Sequence, residues 1–112
     1  MLYDIVWLFF LLLCLHFVCD YPLQGDFIAK FKSRYINGNY NQIWKHCMSA
    51  HCAIHSIPIL MVSGSLILAF TMFISHFIID CLKCENKINL NVDQALHFFV
   101  IAFLSFITVA FL

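Results

Sequence analysis

The chain alternates long apolar runs with short polar connections. Four apolar segments cover about residues 3–19, 44–62, 65–82 and 93–112. Each contains roughly 17 to 20 residues, which at ~1.5 Å per residue is long enough for a helix to cross the hydrocarbon core of a bilayer. The pattern therefore predicts an all-α, integral membrane four-helix bundle that forms a single transmembrane domain over residues 1–112.

The boundary between the second and third segments is the least distinct. Only Ser63, Gly64 and Ser65 separate the two apolar runs. A single helix from His55 to Lys83 is the alternative, but it would be unusually long for one span and would have to tilt strongly. We expect a tight turn at Gly64 and four antiparallel spans.

The connection between the first two spans is longer and has its own pattern. After Pro22, residues 26–36 interleave apolar side chains with Lys30, Lys32 and Arg34. This pattern is typical of an amphipathic helix that lies at the membrane interface, here followed by a turn at Asn37-Gly38-Asn39. The helix is either a simple surface anchor or a place where Lys30 or Arg34 meets an anionic head group.

Composition supports a membrane protein. Of the 112 residues, 63% are hydrophobic and only 11% are charged, which is too apolar for an ordinary soluble domain. The first segment has no basic residues before it and contains Asp4, so we expect a retained helix rather than a signal peptide. A formal net charge of zero gives no indication of a nucleic-acid partner.

Histidine and aspartate recur at one spacing inside the apolar segments. Four pairs of residues are separated by four positions: His16 and Asp20, His51 and His55, His76 and Asp80, Asp93 and His97. Residues four apart lie on the same face of a helix. In four antiparallel spans, the pairs end the first and third helices and begin the second and fourth. All four pairs should therefore meet at the same end of the bundle.

The basic residues indicate which end that is. All six Lys and Arg residues fall at the two connections on the side of the pairs: Lys30, Lys32, Arg34, Lys45, Lys83 and Lys87. Basic residues in short loops favour the cytoplasm. We expect a protein of the bacterial inner membrane, or of a host cell membrane, with both termini outside and the polar pairs at the cytoplasmic face.

The paired side chains are metal ligands by type. Imidazole and carboxylate groups together suit zinc, manganese or iron, and there are enough of them for one or two ions. The predicted metal ligands are His16, Asp20, His51, His55, His76, Asp80, Asp93 and His97. One of Asp20, Asp80 and Asp93 would act as general base. The predicted substrate-binding residues are Gln24, Lys30, Lys83 and Gln94. His46 stands near the membrane surface and is left out.

Other signatures are weak or missing. The chain has no phosphate-binding glycine loop, no G-x-S-x-G and no H-E-x-x-H. Cys81 and Cys84 form a lone C-x-x-C, and small-residue packing explains most of the six cysteines better than metal binding.

Several motifs together resemble a known family. They are His16-x-x-x-Asp20-x-x-x-Gln24, His76-x-x-x-Asp80-x-x-Lys83 and Asp93-Gln94-x-x-His97, with Lys30 and His51 between them. This arrangement resembles the domain of unknown function 3307, found in small membrane proteins of bacteria and bacteriophages. The resemblance covers nearly the whole chain and implies a helical membrane protein without implying an activity. More distantly, the pattern is similar to that of membrane-bound metal-dependent hydrolases.

Two functions follow as hypotheses. The first is a metal-dependent hydrolase that acts on a phosphoester or similar bond of an amphipathic substrate. The second is a non-enzymatic membrane protein whose pairs lock helices and whose basic face binds a partner or lipid. A carrier of ions or protons is disfavoured because the opposite half offers few polar groups beyond Ser63, Ser65, Ser105 and Thr108. Membrane lipid is an expected partner, and so small a bundle is compatible with a homo-oligomer.

Overall fold

The structure, a computed structural model, describes residues 1–112 and contains five helices and one short hairpin. The elements are α1 (Leu2–Asp20), α2 (Gly25–Phe31), β1 (Tyr35–Ile36), β2 (Asn39–Tyr40), α3 (Trp44–Ser63), α4 (Leu66–Cys84) and α5 (Leu90–Phe111). The predicted all-α class is confirmed. The four long helices α1, α3, α4 and α5 correspond to the four predicted apolar segments, with ends that differ by no more than three residues.

The four long helices contact one another in a ring. Helix α1 packs against α3 and α5, and α4 packs against the same two helices from the other side. The short α2 packs against α3. Helices that are neighbours in this ring run in opposite directions. The C-terminal ends of α1 and α4 therefore lie next to the N-terminal ends of α3 and α5.

A tight turn separates α3 from α4, as the sequence predicts. Gly64 has a positive φ of 65°, and its N–H donates to the Leu60 carbonyl at 2.8 Å, which closes α3 with a left-handed cap. Ser65 then caps α4, since its hydroxyl accepts from the Leu68 N–H at 3.2 Å. The alternative of one continuous helix from His55 to Lys83 is therefore wrong.

The predicted amphipathic helix over residues 26–36 is too long. Helix α2 ends at Phe31, and Tyr35–Ile36 is instead a strand that pairs antiparallel with Asn39–Tyr40. The cause is the Asn37-Gly38 pair, in which both residues have positive φ (52° and 79°), as a two-residue hairpin turn requires. The structure shows a seven-residue helix and a hairpin where the sequence predicted one longer helix.

The interior is divided into an apolar layer and a polar layer. The apolar core consists of six buried side chains drawn from all four long helices: Leu8, Leu12, Ile59, Met72, Ile101 and Leu104. The paired histidines and aspartates form the polar layer at the other end. Large apolar side chains also cover the outside of the helices, for example Ile67 and Phe99, which are 79% and 71% exposed. Outward apolar surface of this extent is what a lipid environment accommodates.

Three helices are long and apolar enough to cross a membrane: Leu2–Asp20, Leu66–Cys84 and Leu90–Phe111. The fourth long helix, α3, is comparable in length but is less apolar. It carries Lys45, His46, His51 and His55, and the last two are buried in the polar layer rather than turned outward. Its lower hydropathy thus reflects the site that it helps to build.

Substitutions at Gly64 test the turn. Gly64→Ala should destabilise the protein by about 1–2 kcal/mol, because a Cβ is unfavourable in the left-handed region, whereas Gly64→Asn should be milder because Asn tolerates that region. Thermal unfolding in detergent, followed by circular dichroism, compares the variants. If Gly64→Ala were instead more stable than the wild type, a continuous α3–α4 helix would be favoured over the turn.

Candidate metal centre

The four predicted pairs do meet at one end of the ring. His16 and Asp20 lie in the last two turns of α1, and His76 and Asp80 lie near the end of α4. The pair from α3 lies within its first three turns, and Asp93 and His97 lie near the start of α5. All of these side chains are buried except Asp20, which is 14% exposed.

Four of the eight side chains form one group of metal-ligand size. These are Asp20, His51, His55 and His76, whose ligand atoms all lie within 4.8 Å of one another. Asp20 Oδ1 is 2.9 Å from His55 Nε2 and 3.4 Å from His51 Nε2. His51 Nε2 is 3.0 Å from His76 Nε2. A tetrahedral ion with bonds of about 2.0–2.1 Å holds its ligand atoms about 3.3 Å apart, so these separations fit one zinc-sized ion.

The imidazole rings are oriented by contacts among themselves. His55 stacks on His76 with ring centroids 3.8 Å apart, and His76 stacks on His97 at 4.2 Å. The Nδ1 atoms of His51 and His76 are buried and have no hydrogen-bond partner. The polar contacts of these two rings are therefore made through their Nε2 atoms, which face each other, and His51 Nε2 also faces Asp20 and Asp80.

A proline helps to join α1 to α3 beside the group. Pro58 lies inside α3 and has no N–H, so it cannot donate to the carbonyl of Ile54 four residues earlier. The Cys19 thiol donates a hydrogen bond to that carbonyl oxygen instead, at 3.8 Å. In an apolar environment a carbonyl freed by proline needs such a partner, and this one lies next to Asp20 in the chain.

The remaining predicted ligands surround the group rather than forming a second one. His16 Nε2 is 3.1 Å from Asp20 Oδ2, and Asp80 Oδ2 is 3.4 Å from His51 Nε2. Asp93 and His97 pair with each other at 3.3 Å. The structure contains no second group of three such ligands, so the geometry supports one ion.

Three of the four predicted substrate-binding residues belong to this surrounding network. Gln94 lies 3.3 Å from His16 Nε2 through Oε1 and donates to Asp93 at 3.0 Å. Lys83 Nζ lies 3.2 Å from Asp80 and 3.8 Å from Asp93. Gln24 donates to the Asp20 carbonyl at 3.1 Å. Lys30 is different, since it is exposed on α2 with its ammonium over the Phe31 ring.

The sequence interpretation missed Lys32. This side chain is 4% exposed, and its ammonium donates to Asp80 Oδ2 and to Gln24 Oε1, each at 2.6 Å. In a helix over residues 26–36, Lys32 would have been one of three similar surface cations. The real helix ends at Phe31, and the chain then turns Lys32 inward. No sequence signal separates it from Lys30 or Arg34.

A small cavity lies between the group and the apolar core. A cavity of about 10 Å³, the size of about one water molecule, is lined by His16 and His55 and by apolar side chains such as Leu12 and Ile59. Asp20 is the least buried member of the group.

Comparison with known proteins identifies a family but no function. The model of a family described as "Protein of unknown function (DUF3307)" matches residues 8–112, which is nearly the whole chain. This confirms the resemblance seen in the sequence motifs. No curated protein and no solved structure matches the chain.

Substitution of Lys32 tests the buried network. Lys32→Met should lower the free energy of unfolding by about 3 kcal/mol, because it breaks a buried ion pair with Asp80. The loss should be near the lower end of the range for such pairs, because Lys83 remains beside Asp80. Lys30→Met is the matched control on the same segment and should change it by at most about 0.5 kcal/mol. Chemical unfolding in detergent measures both. Equal effects of the two substitutions would show that Lys32 does not stabilise the polar layer.

Proposed function

The chain belongs to the DUF3307 family of proteins of unknown function, and we propose that it is a membrane-embedded, metal-dependent hydrolase. Its substrate would be amphipathic, with a phosphoester or similar bond placed at the cytoplasmic face. In this proposal the four long helices form a transmembrane bundle, and α2 lies at the interface. The observation that carries it is the convergence of Asp20, His51, His55 and His76 from three helices.

The ligand set favours zinc over the other metals considered. Three imidazole nitrogens and one carboxylate oxygen are a donor set typical of zinc, whereas manganese prefers more oxygen ligands. Iron and manganese remain alternatives that metal analysis separates. A bound zinc ion would polarise a phosphoryl oxygen and lower the pKa of a coordinated water molecule.

Asp20 is the ligand that gives the site a reactive side. Catalytic zinc sites keep one position for water or substrate. The three histidines are fully enclosed, while Asp20 is partly exposed and its other oxygen is held by His16. His16 would therefore keep Asp20 oriented toward the ion, and substrate would enter on this side.

Asp80 is the second carboxylate available to the reaction. It is not in the ligand group, but its Oδ2 lies 3.4 Å from His51 Nε2. Lys32 and Lys83 flank it, with their ammonium groups 2.6 Å and 3.2 Å from its oxygens. In the proposal Asp80 orients the attacking water and accepts its proton, while Asp93 and Gln94 position His97 and His16.

The proposed orientation follows from the distribution of charge. All Lys and Arg residues lie at or beside the connections at the site's end, and none lies at the α3–α4 turn or the two termini. The positive-inside tendency then places the site at the cytoplasmic face and both termini outside. Arg34 and Glu85, which pair with each other, would lie at the surface of the membrane.

Metal content tests the proposal directly. Detergent-purified wild type should contain about one zinc ion per chain, and His76→Ala should lose most of it because a ligand is removed. His46→Ala is the matched control, since His46 lies on α3 but is exposed and outside the group. Elemental analysis by mass spectrometry gives the stoichiometry. Equal metal in wild type and His76→Ala would refute the ligand assignment.

Hydrolysis separates a catalytic ion from a structural one. Phosphate release from micellar phosphatidic acid, a simple amphipathic phosphomonoester, should depend on the metal and should be lost in His76→Ala but kept in His46→Ala. Asp80→Asn should keep the metal and reduce the rate by about 10²-fold or more. If the wild-type protein binds about one zinc ion but releases no phosphate from this probe, the result contradicts phosphomonoester hydrolysis and leaves only the metal-binding part of the proposal.

One observation favours a non-enzymatic alternative. Every carboxylate of the network has an ammonium or imidazole partner from the protein itself, as Asp80 has Lys32 and Lys83. Such pairs are sufficient to lock helices together. A protein of this kind would bind a partner or lipid through its basic face, would contain no stoichiometric metal, and would lose stability with each substitution in the pairs.

A further inference from the structure

A polar cleft lies beside the metal centre, between the connection that joins α1 to α3 and the C-terminal end of α4. It has a volume of about 220 Å³ and is lined by Lys32, Arg34, Trp44, Cys81, Cys84 and Glu85. A water molecule needs about 10–15 Å³ of such space, so the cleft has room for a tetrahedral phosphate group with atoms attached to it. None of the predicted substrate-binding residues lines it.

The walls of the cleft supply hydrogen-bond donors that the protein does not use. Trp44 Nε1 is buried and has no partner, although an indole N–H normally finds one. Lys32 has three N–H donors, of which Asp80 and Gln24 take two. Arg34 has five donors, and its one hydrogen bond is to Glu85. Donors of this number indicate a ligand that accepts hydrogen bonds.

The charges on the walls favour an anion. Lys32 and Arg34 are cationic, and Glu85 is the single acidic wall residue. Glu85 is already paired with Arg34, whose guanidinium also stacks on Tyr35 with 5.1 Å between the guanidinium carbon and the ring centroid. These contacts hold the guanidinium at the wall of the cleft, and a guanidinium is well suited to a phosphate.

Lys32 connects the cleft to the metal centre. Its ammonium is 2.6 Å from Asp80 Oδ2, and that same oxygen is 3.4 Å from His51 Nε2 in the ligand group. A group bound in the cleft is thus separated from the metal ligands by one ion pair. A phosphate group bound in the cleft would therefore belong to a part of the substrate next to the reacting bond.

We propose that this cleft binds a phosphate group through Arg34, Lys32 and the Trp44 N–H. The source of the phosphate is either a lipid head group or a soluble phosphate compound. The role of the cleft as part of the substrate site rests on the metal-dependent function proposed above, whereas phosphate binding itself does not require it.

Phosphate binding is measured on the full chain in maltoside detergent and phosphate-free buffer. The chain has two tryptophans, and Trp7→Phe leaves Trp44 as the sole one, since Trp7 lies on α1 away from the site. Inorganic phosphate is titrated by calorimetry and by Trp44 fluorescence, and a soluble source of the phosphate predicts a saturable signal. Arg34→Gln should weaken binding about tenfold because a charge-assisted contact is lost.

Two further variants make the prediction specific. Glu85→Gln should tighten phosphate binding severalfold, because it removes the anion that competes for Arg34. Lys87→Gln is the matched control, since Lys87 is an exposed cation of the α4–α5 connection that does not line the cleft, and it should leave binding unchanged. Arg34 is 43% exposed in its side chain, so its substitution should leave the fold intact, which circular dichroism verifies.

The source of the phosphate is decided by a second arm with phosphatidic acid in mixed maltoside micelles. Saturable binding of inorganic phosphate supports a soluble source, and a response to phosphatidic acid alone supports a lipid head group. No response to either probe, or a response that Arg34→Gln and Glu85→Gln leave unchanged, would overturn the proposal. Because zinc content is measured separately, failure here is distinguishable from failure of the metal centre.

Discussion

The carboxylate of Asp20 is the contact on which the polar layer depends. Its two oxygens reach His16 in its own helix and His51 and His55 in α3. A carboxylate that is largely withdrawn from water is costly unless several partners compensate it. The end of α1 lies beside the histidine pair of α3, which supplies these partners. The turn at Gly64 then reverses the chain, so that His76 of α4 completes the group.

The two layers of the interior serve different purposes. Apolar packing around Leu104 and Met72 holds the helices together without specifying what the other end contains. The polar layer is more demanding, because a buried charged group there is costly unless it has a partner at hydrogen-bonding or ion-pair distance. Lys32 illustrates this demand, since a residue from the connection between α1 and α3 lies in the interior, where it meets Asp80 and Gln24.

Most of the architecture could be predicted from periodicity, but the division of roles within the site could not. Apolar runs of near-membrane length predict the four helices, and the four-residue spacing of the His and Asp pairs predicts their convergence. The spacing does not say that Asp80 and His97 lie outside the ligand group, because this depends on helix rotation by a fraction of a turn. The end of α2 was missed because the preference of Asn37-Gly38 for a hairpin outweighed an amphipathic pattern.

The central claim is that three imidazoles and one carboxylate hold a single zinc ion in the polar layer. X-ray absorption spectroscopy of the zinc-loaded protein in detergent tests it most directly, because it identifies the atoms around the metal. A zinc ion held by these four side chains should have only nitrogen and oxygen neighbours at about 2.0–2.1 Å, with the multiple-scattering signature of about three imidazoles. Sulfur neighbours at about 2.3 Å, which would indicate the cysteines, or fewer than two imidazoles would contradict it.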